Sequence, residues 1–166
     1  MSIVDTARAK TVTWTDPLEI AERGRGMSGL EAMHAIASGE LPPPPIAKLL
    51  GFEIPEAWEG GARFVLKGGE EHYNPIGVIH GGVTATLLDS AMGCAVQTTL
   101  PAGVGYTTLE IKVNYVRAAH AGMQLVAEAD VIHRGRTVAT AEGRLTDGDT
   151  GKLLAHATTT CLILAP

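Results

Sequence analysis

The chain has 166 residues, 45% hydrophobic and 19% charged, which fits one folded domain with ample core material and excludes general disorder. With 13 basic and 18 acidic residues the net charge is -5, and no basic run or basic–aromatic interleaving marks a nucleic-acid surface. Residues 1–26 are polar and read as irregular, without the apolar stretch of a secretory leader. Arg23-Gly24-Arg25-Gly26 reads as a flexible join. Ser28 then looks like an N-cap, with Glu31 as its capping-box partner and Gly39 as the stop, so a short amphipathic helix is predicted over 29–38. Pro42 to Pro45 form a rigid extended spacer. Ile46 to Leu50 resume as a helical turn that Gly51 ends.

Strand patterns begin at Phe52. Phe52–Trp58 and Ala62–Lys67 are short runs broken by Glu59-Gly60-Gly61, a hairpin signal. A polar turn over 68–80 leads into a helix of about residues 82–99, closed by Pro101-Ala102-Gly103. Gly81 to Leu100 has about the length of a membrane span. Asp89 near its centre, with Thr84, Thr86, Ser90 and Gln97, predicts a soluble buried helix instead, in a cytoplasmic protein. From Gly105 the chain reads as strand after strand. Thr108, Glu110, Lys112 and Asn114 alternate with Leu109, Ile111, Val113 and Tyr115, which predicts opposite faces for the two sets. Met123 to Val131 alternate likewise, and His133-Arg134-Gly135-Arg136 reads as the next turn. Thr137–Thr146 and Leu153–Leu164 are the last strands, joined by the loop Asp147 to Gly151. Their small residues, Ala139, Ala141, Gly143, Ala155, Ala157 and Cys161, predict a sheet that curves around the apolar helix. The expected class is α+β, a curved antiparallel sheet wrapped round a central α-helix.

One residue stands out chemically. Asp89 is the single carboxylate of the apolar helix, and a lone charge there costs several kcal/mol unless it is paired or used. Its neighbours one turn either way, Ala85 and Gly93, are small and predict room for a substrate. Free N–H groups gather at the helix start, at Gly81 and Gly82. Cys94 and Cys161 lie in apolar stretches and read as reduced core residues. His34, His72, His120, His133 and His156 lack metal-ligand spacing, so no metal is expected.

The pattern Asn74-Pro75-x-Gly77-x-x-His80-Gly81-Gly82, followed by Asp89 nine residues after His80, resembles the hotdog-fold acyl-CoA thioesterases of the PaaI-like type. The strand from Val104 to Tyr115 and the segments His133–Glu142 and Gly151–Thr158 are similar to that family too. The resemblance covers residues 45–164 and leaves residues 1–44 as an N-terminal extension with a short helix. It implies a hotdog protomer, pairing edge to edge into a homodimer, with homotetramers common. It implies active sites built from both chains, an acyl- or aryl-CoA substrate, and no metal or redox cofactor, coenzyme A being part of the substrate. No membrane or nucleic-acid partner is expected, given the polar residues within Gly81 to Leu100 and the lack of a basic run.

The resemblance also implies residue roles. Asp89 matches the catalytic carboxylate, acting on water or attacking the thioester directly. The Gly81-Gly82 turn matches the holder of the thioester carbonyl. Asn74 matches a position near that carbonyl or the water, although an Asx-turn before Pro75 is the structural alternative. His80 either donates to the substrate or braces the turn. Thr108 matches a position that holds the attacking water, although threonine is also simply a good strand former. Tyr73 either walls the acyl pocket or fills core. Arg134, Gly135, Arg136 and Lys152, at hairpin ends, are candidates for the coenzyme A phosphates. The rival readings are a hotdog hydratase or dehydratase and a non-catalytic acyl-CoA-binding protein. The first would carry a different hydration motif, and the second a DNA-binding extension that residues 1–45 do not show.

Overall fold

Local signals set the elements. The computed structural model describes residues 7–164. Asp16 caps helix α1 (Pro17–Arg23) by accepting from the Leu18 N–H at 2.8 Å, with Pro17 in the first turn. This helix lies in the stretch expected to be irregular. It buries none of its residues, so no apolar periodicity announces it; only its cap and its proline do. Helix α2 (Gly29–Ser38) begins at the expected capping box: the Glu31 N–H donates to Ser28 Oγ at 3.3 Å and the Ser28 N–H donates to Glu31 Oε2 at 2.7 Å. It ends at Gly39, with φ 80°, a conformation that favours glycine. Helix α3 (Pro45–Leu50) ends at Gly51 in the same way.

β1 (Phe52–Trp58) and β2 (Gly61–Lys67) form the first hairpin. Helix α4 (Gly81–Thr98) follows the polar loop. β3 (Gly105–Tyr115), β4 (Gln124–Arg134), β5 (Val138–Asp147) and β6 (Leu153–Leu164) complete one antiparallel six-stranded sheet, in the order β1-β2-β4-β5-β6-β3. The turn expected over 133–136 is shorter than predicted. A register shift at Ile132 lets β4 continue through His133 and Arg134, which pair with Thr140 and Ala139.

The core lies between α4 and the concave face of the sheet. Leu87, Leu88, Ala91, Met92, Ala95 and Val96 are fully buried there. Opposite them sit Phe64 and Leu66 of β2, with Ala127, Ala129, Ala139, Ala141, Ala155 and Ala157. Small residues let the sheet approach the helix closely; a Cβ at Gly143 would already lie 3.0 Å from Met92 Cγ. Each large buried side chain contributes roughly 1.5–3 kcal/mol of burial. Helix α2 closes the far end of α4. The Gly29 N–H donates to the Leu100 carbonyl at 2.9 Å, and a Cβ at Gly29 would collide with the Gln97 carbonyl. Among the described residues no helix is long and apolar enough to cross a membrane.

β3 departs from the simple alternation expected of it. Thr108 pairs with Cys161 and Glu110 with Thr160, so Leu109 is an extra residue in the ladder. Before this bulge Tyr106 and Thr108 face α4; after it Ile111 and Val113 do. Leu109 is 58% exposed instead of sharing the inner face with them, while Tyr115, at the strand end, stays on the α4 side although it is 57% exposed. Without the bulge, Thr108 and Ile111 would point to opposite sides of the sheet.

Candidate active site

The loop before α4 is braced from within. His72 is buried; its Nδ1 accepts from the Gly69 N–H at 3.0 Å and its Nε2 donates to the Leu50 carbonyl at 2.9 Å. Asn74 Oδ1 accepts from the N–H groups of Ile76 (3.1 Å) and Val78 (3.3 Å), an Asx-turn that Gly77 completes with φ 79°. The Tyr73 hydroxyl accepts from the Ala121 N–H at 2.9 Å, and Tyr73 bridges to Ile79 while packing on the core. Together these contacts aim the chain at the start of α4.

His80 is the N-cap of α4. Its exposed ring accepts the Gly82 N–H on Nδ1 at 2.8 Å, and its carbonyl accepts from Val83 at 3.0 Å. The Gly81 N–H has no acceptor among the described residues, so it is the free donor at the positive end of the helix. The Tyr115 hydroxyl donates to the Gly81 carbonyl at 3.0 Å and lies against the glycine, where a Cβ would come within 3.2 Å of the ring. Beside this turn lies a cleft of about 310 Å³ lined by Asn74, Gly81, Thr84, Tyr115 and Arg117. Arg117 was not singled out in the sequence. Its Nη1 donates to the Leu153 carbonyl at 2.7 Å, next to Lys152.

Asp89 sits two turns along the helix, half-buried. Its Oδ1 accepts from Thr108 Oγ1 at 3.0 Å. None of the ion pairs among the described residues includes it. One carboxylate oxygen is therefore fixed by a neutral hydroxyl while the charge stays uncompensated. Past Asp89 the ring of Tyr106 covers Gly93, and its hydroxyl lies near Cys94. Burial pushes the Cys94 thiol up to about 12 and the Tyr106 phenol well above its ordinary range. Tyr106, like Arg117, escaped the sequence reading. Its trace was an aromatic residue two positions before Thr108, on the same strand face.

The contacts Tyr115–Gly81, Thr108–Asp89 and Tyr106–Gly93 show that α4 runs antiparallel to β3. They also separate the expected site residues. Gly82 and Asp89 are seven residues apart, roughly 10 Å of helix rise. Arg134, Gly135 and Arg136 lie where β4 turns into β5, whereas Lys152 lies beyond the other end of β5. The length of that strand puts about 30 Å between them. Among the described residues no cluster of three or more His, Cys, Asp or Glu side chains is placed to hold a metal.

The Thioesterase superfamily profile matches residues 76–154, the stretch from the loop through the start of β6. A 1,4-dihydroxy-2-naphthoyl-CoA hydrolase of Listeria monocytogenes is 30% identical over 109 residues, covering 66% of this chain and 87% of that one. A phenylacetic acid degradation-related protein of Ralstonia eutropha superposes with a TM-score of 0.71 at 32% identity, covering 78% of this chain and 98% of its own. This chain belongs to the thioesterase superfamily, in its PaaI-like hotdog group. The mouse acyl-coenzyme A thioesterase 13 is 37% identical over 87 residues; the match spans 52% of this chain and 61% of the mouse protein. The superfamily match covers the Asp89 helix and the β3 strand that holds it, and it leaves α1, α2 and α3 outside.

Proposed function

We propose that this protein hydrolyses acyl- or aryl-CoA thioesters to the free acid and coenzyme A. The observation that carries this reading is the Asp89–Thr108 pair: a half-buried carboxylate with no counter-ion among the described residues, one oxygen anchored and the other left for chemistry. Such a group takes the proton of an attacking water, or attacks the thioester carbon itself. The carbonyl oxygen gains negative charge, which a free helix N-terminal N–H stabilises by about 3–4 kcal/mol. The carbon–sulfur bond then breaks and coenzyme A leaves as its thiol. Gly81 has that donor, and glycine admits the acyl group to the backbone.

The two halves belong to different protomers in this reading. Gly82 and Asp89 of one chain lie roughly 10 Å apart along α4, too far for one carbonyl. The sheet has two edges. Both edge strands carry a register shift, but β1 is short and holds Pro55, which blunts it, whereas β3 is a longer edge with Leu109 and Tyr115 exposed. Antiparallel pairing of β3 with its copy turns the partner's Gly81 end toward the Thr108 end, where Asp89 sits. Edge-to-edge dimerisation thus completes the site. The Gly81 side would supply Asn74, through its amide nitrogen, and the cations Arg117 and Lys152 for the coenzyme A phosphates. His80 acts here through the turn it caps.

Asp89→Asn keeps the Thr108 contact and removes the base, so kcat is expected to fall by about 10²–10⁴-fold with the melting temperature preserved. The assay is thiol release from an acyl-CoA panel. Undiminished release by this variant overturns the role of Asp89, and coenzyme A binding without turnover of any acyl-CoA favours the non-catalytic reading. Single turnover in heavy-oxygen water separates attack by water from attack by Asp89, since only the latter labels the protein.

A further inference from the structure

The stripe of α4 that carries Asp89 is open on one side and closed on the other. Ala85, Thr86, Asp89 and Ser90 are half-buried, and Gly82 is exposed. Gly93 continues the stripe one turn beyond Asp89, yet it is buried, because Tyr106 lies on it. A Cβ at position 93 would collide with the Tyr106 hydroxyl and lie 2.8 Å from ring carbons Cε2 and Cζ. The space expected from the small neighbours of Asp89 is therefore already filled toward Gly93. The Tyr106 hydroxyl lies near Cys94, and the Tyr106 backbone pairs with Ile163 of β6. One turn further on, Gly29 of α2 closes over the Gln97 carbonyl.

A thioester held at Asp89 has two arms. The phosphorylated arm must reach solvent and cations, which the Gly81 cleft of the paired protomer offers in that reading. The apolar arm gains from the covered side, beside Gly93. Resting on the acyl-CoA reading above, we infer that Tyr106 is the specificity-determining wall that ends the acyl chamber beside Asp89 and restricts this enzyme to short or single-ring acyl groups. Gly93 lies about 6 Å along the helix from Asp89. An acyl group that passes Asp89 toward Gly93 therefore meets the Tyr106 ring within about one helix turn.

The test compares kcat/KM for butanoyl-CoA and decanoyl-CoA in the full chain. Tyr106→Ala should raise the decanoyl-to-butanoyl ratio by about tenfold or more, the direction set by roughly 0.8 kcal/mol for each methylene that gains a buried place. Tyr106→Phe keeps the wall and should leave the ratio near that of the wild type. Tyr106→Val gives an intermediate ratio and replaces the alanine variant if that one does not fold. An unchanged ratio in the folded, active small-residue variants overturns the wall while the thioesterase reading stands. A wild type that already prefers decanoyl-CoA overturns it as well. No hydrolysis of any acyl-CoA by the wild type removes both readings.

Discussion

The thiol of Cys94 lies against the Tyr106 hydroxyl, close enough to Asp89 to feel its charge. Burial is the larger cause of its displacement to about 12, and the charge of Asp89 adds to it. The sign is plain: the folded value lies above the usual 9.0, so the favourable contribution is complete below pH 9 and is lost as pH rises through the folded value. At pH 8 the folded protein should therefore leave Cys94 and the buried Cys161 unlabelled by iodoacetamide, whereas both label in denaturant. Peptide mass mapping reads the outcome, and rapid native labelling of Cys94 contradicts the packing of Tyr106. The same small neighbourhood explains why Thr108 faces inward: it needs the bulge at Leu109 and the proximity of α4 together.

Helix α2 is a test of how caps anchor an element. Its box ties Ser28 and Glu31 reciprocally, and the Ser28 N–H, more than the Ser28 hydroxyl, holds the Glu31 carboxyl below its usual 4.5. A carboxyl lowered on folding contributes stability above the unfolded value, and that contribution is lost as pH falls through the folded one. Glu31→Ala removes the carboxylate that both bonds hold, so it should destabilise the protein at neutral pH, read by chemical denaturation, and the gap between variant and wild type should narrow below about pH 4. A gap that stays constant down to pH 3 shows that the box is not what holds α2. Docking of α2 depends on Gly29 as well, because only glycine fits against the Gln97 carbonyl.

At the scale of the molecule the proposed two-chain site turns on the sheet edges. A single protomer holds Asp89 at one point of α4 and the free Gly81 donor roughly 12 Å away. Pairing through β3 predicts complementation. Mixing Asp89→Asn and Asn74→Ala chains after unfolding should restore about a quarter of wild-type turnover, because about half the dimers are mixed and each mixed dimer regains one of its two sites. Activity that stays at the level of the two inactive parents places the whole site within one chain. Leu109, exposed at the β3 edge, is the side chain through which that pairing can be weakened without touching the core.

Much of this was legible in the residues themselves. Ser28 and Glu31 announced α2, Gly39 and Gly51 announced helix ends, and the small inward faces of β5 and β6 announced a sheet wrapped round a helix. These signals are local: caps, left-handed glycines and alternation act over a few residues, so the order of residues is enough to determine them. The motif from Asn74 to Asp89 likewise pointed to the family before any coordinate did. Tertiary structure alone decided which groups meet. It took a bulge to bring Thr108 to Asp89, an antiparallel helix and strand to lay Tyr106 on Gly93, and the length of β5 to separate Arg136 from Lys152. Those are meetings across long stretches of chain, set by register and packing, and no local preference encodes them.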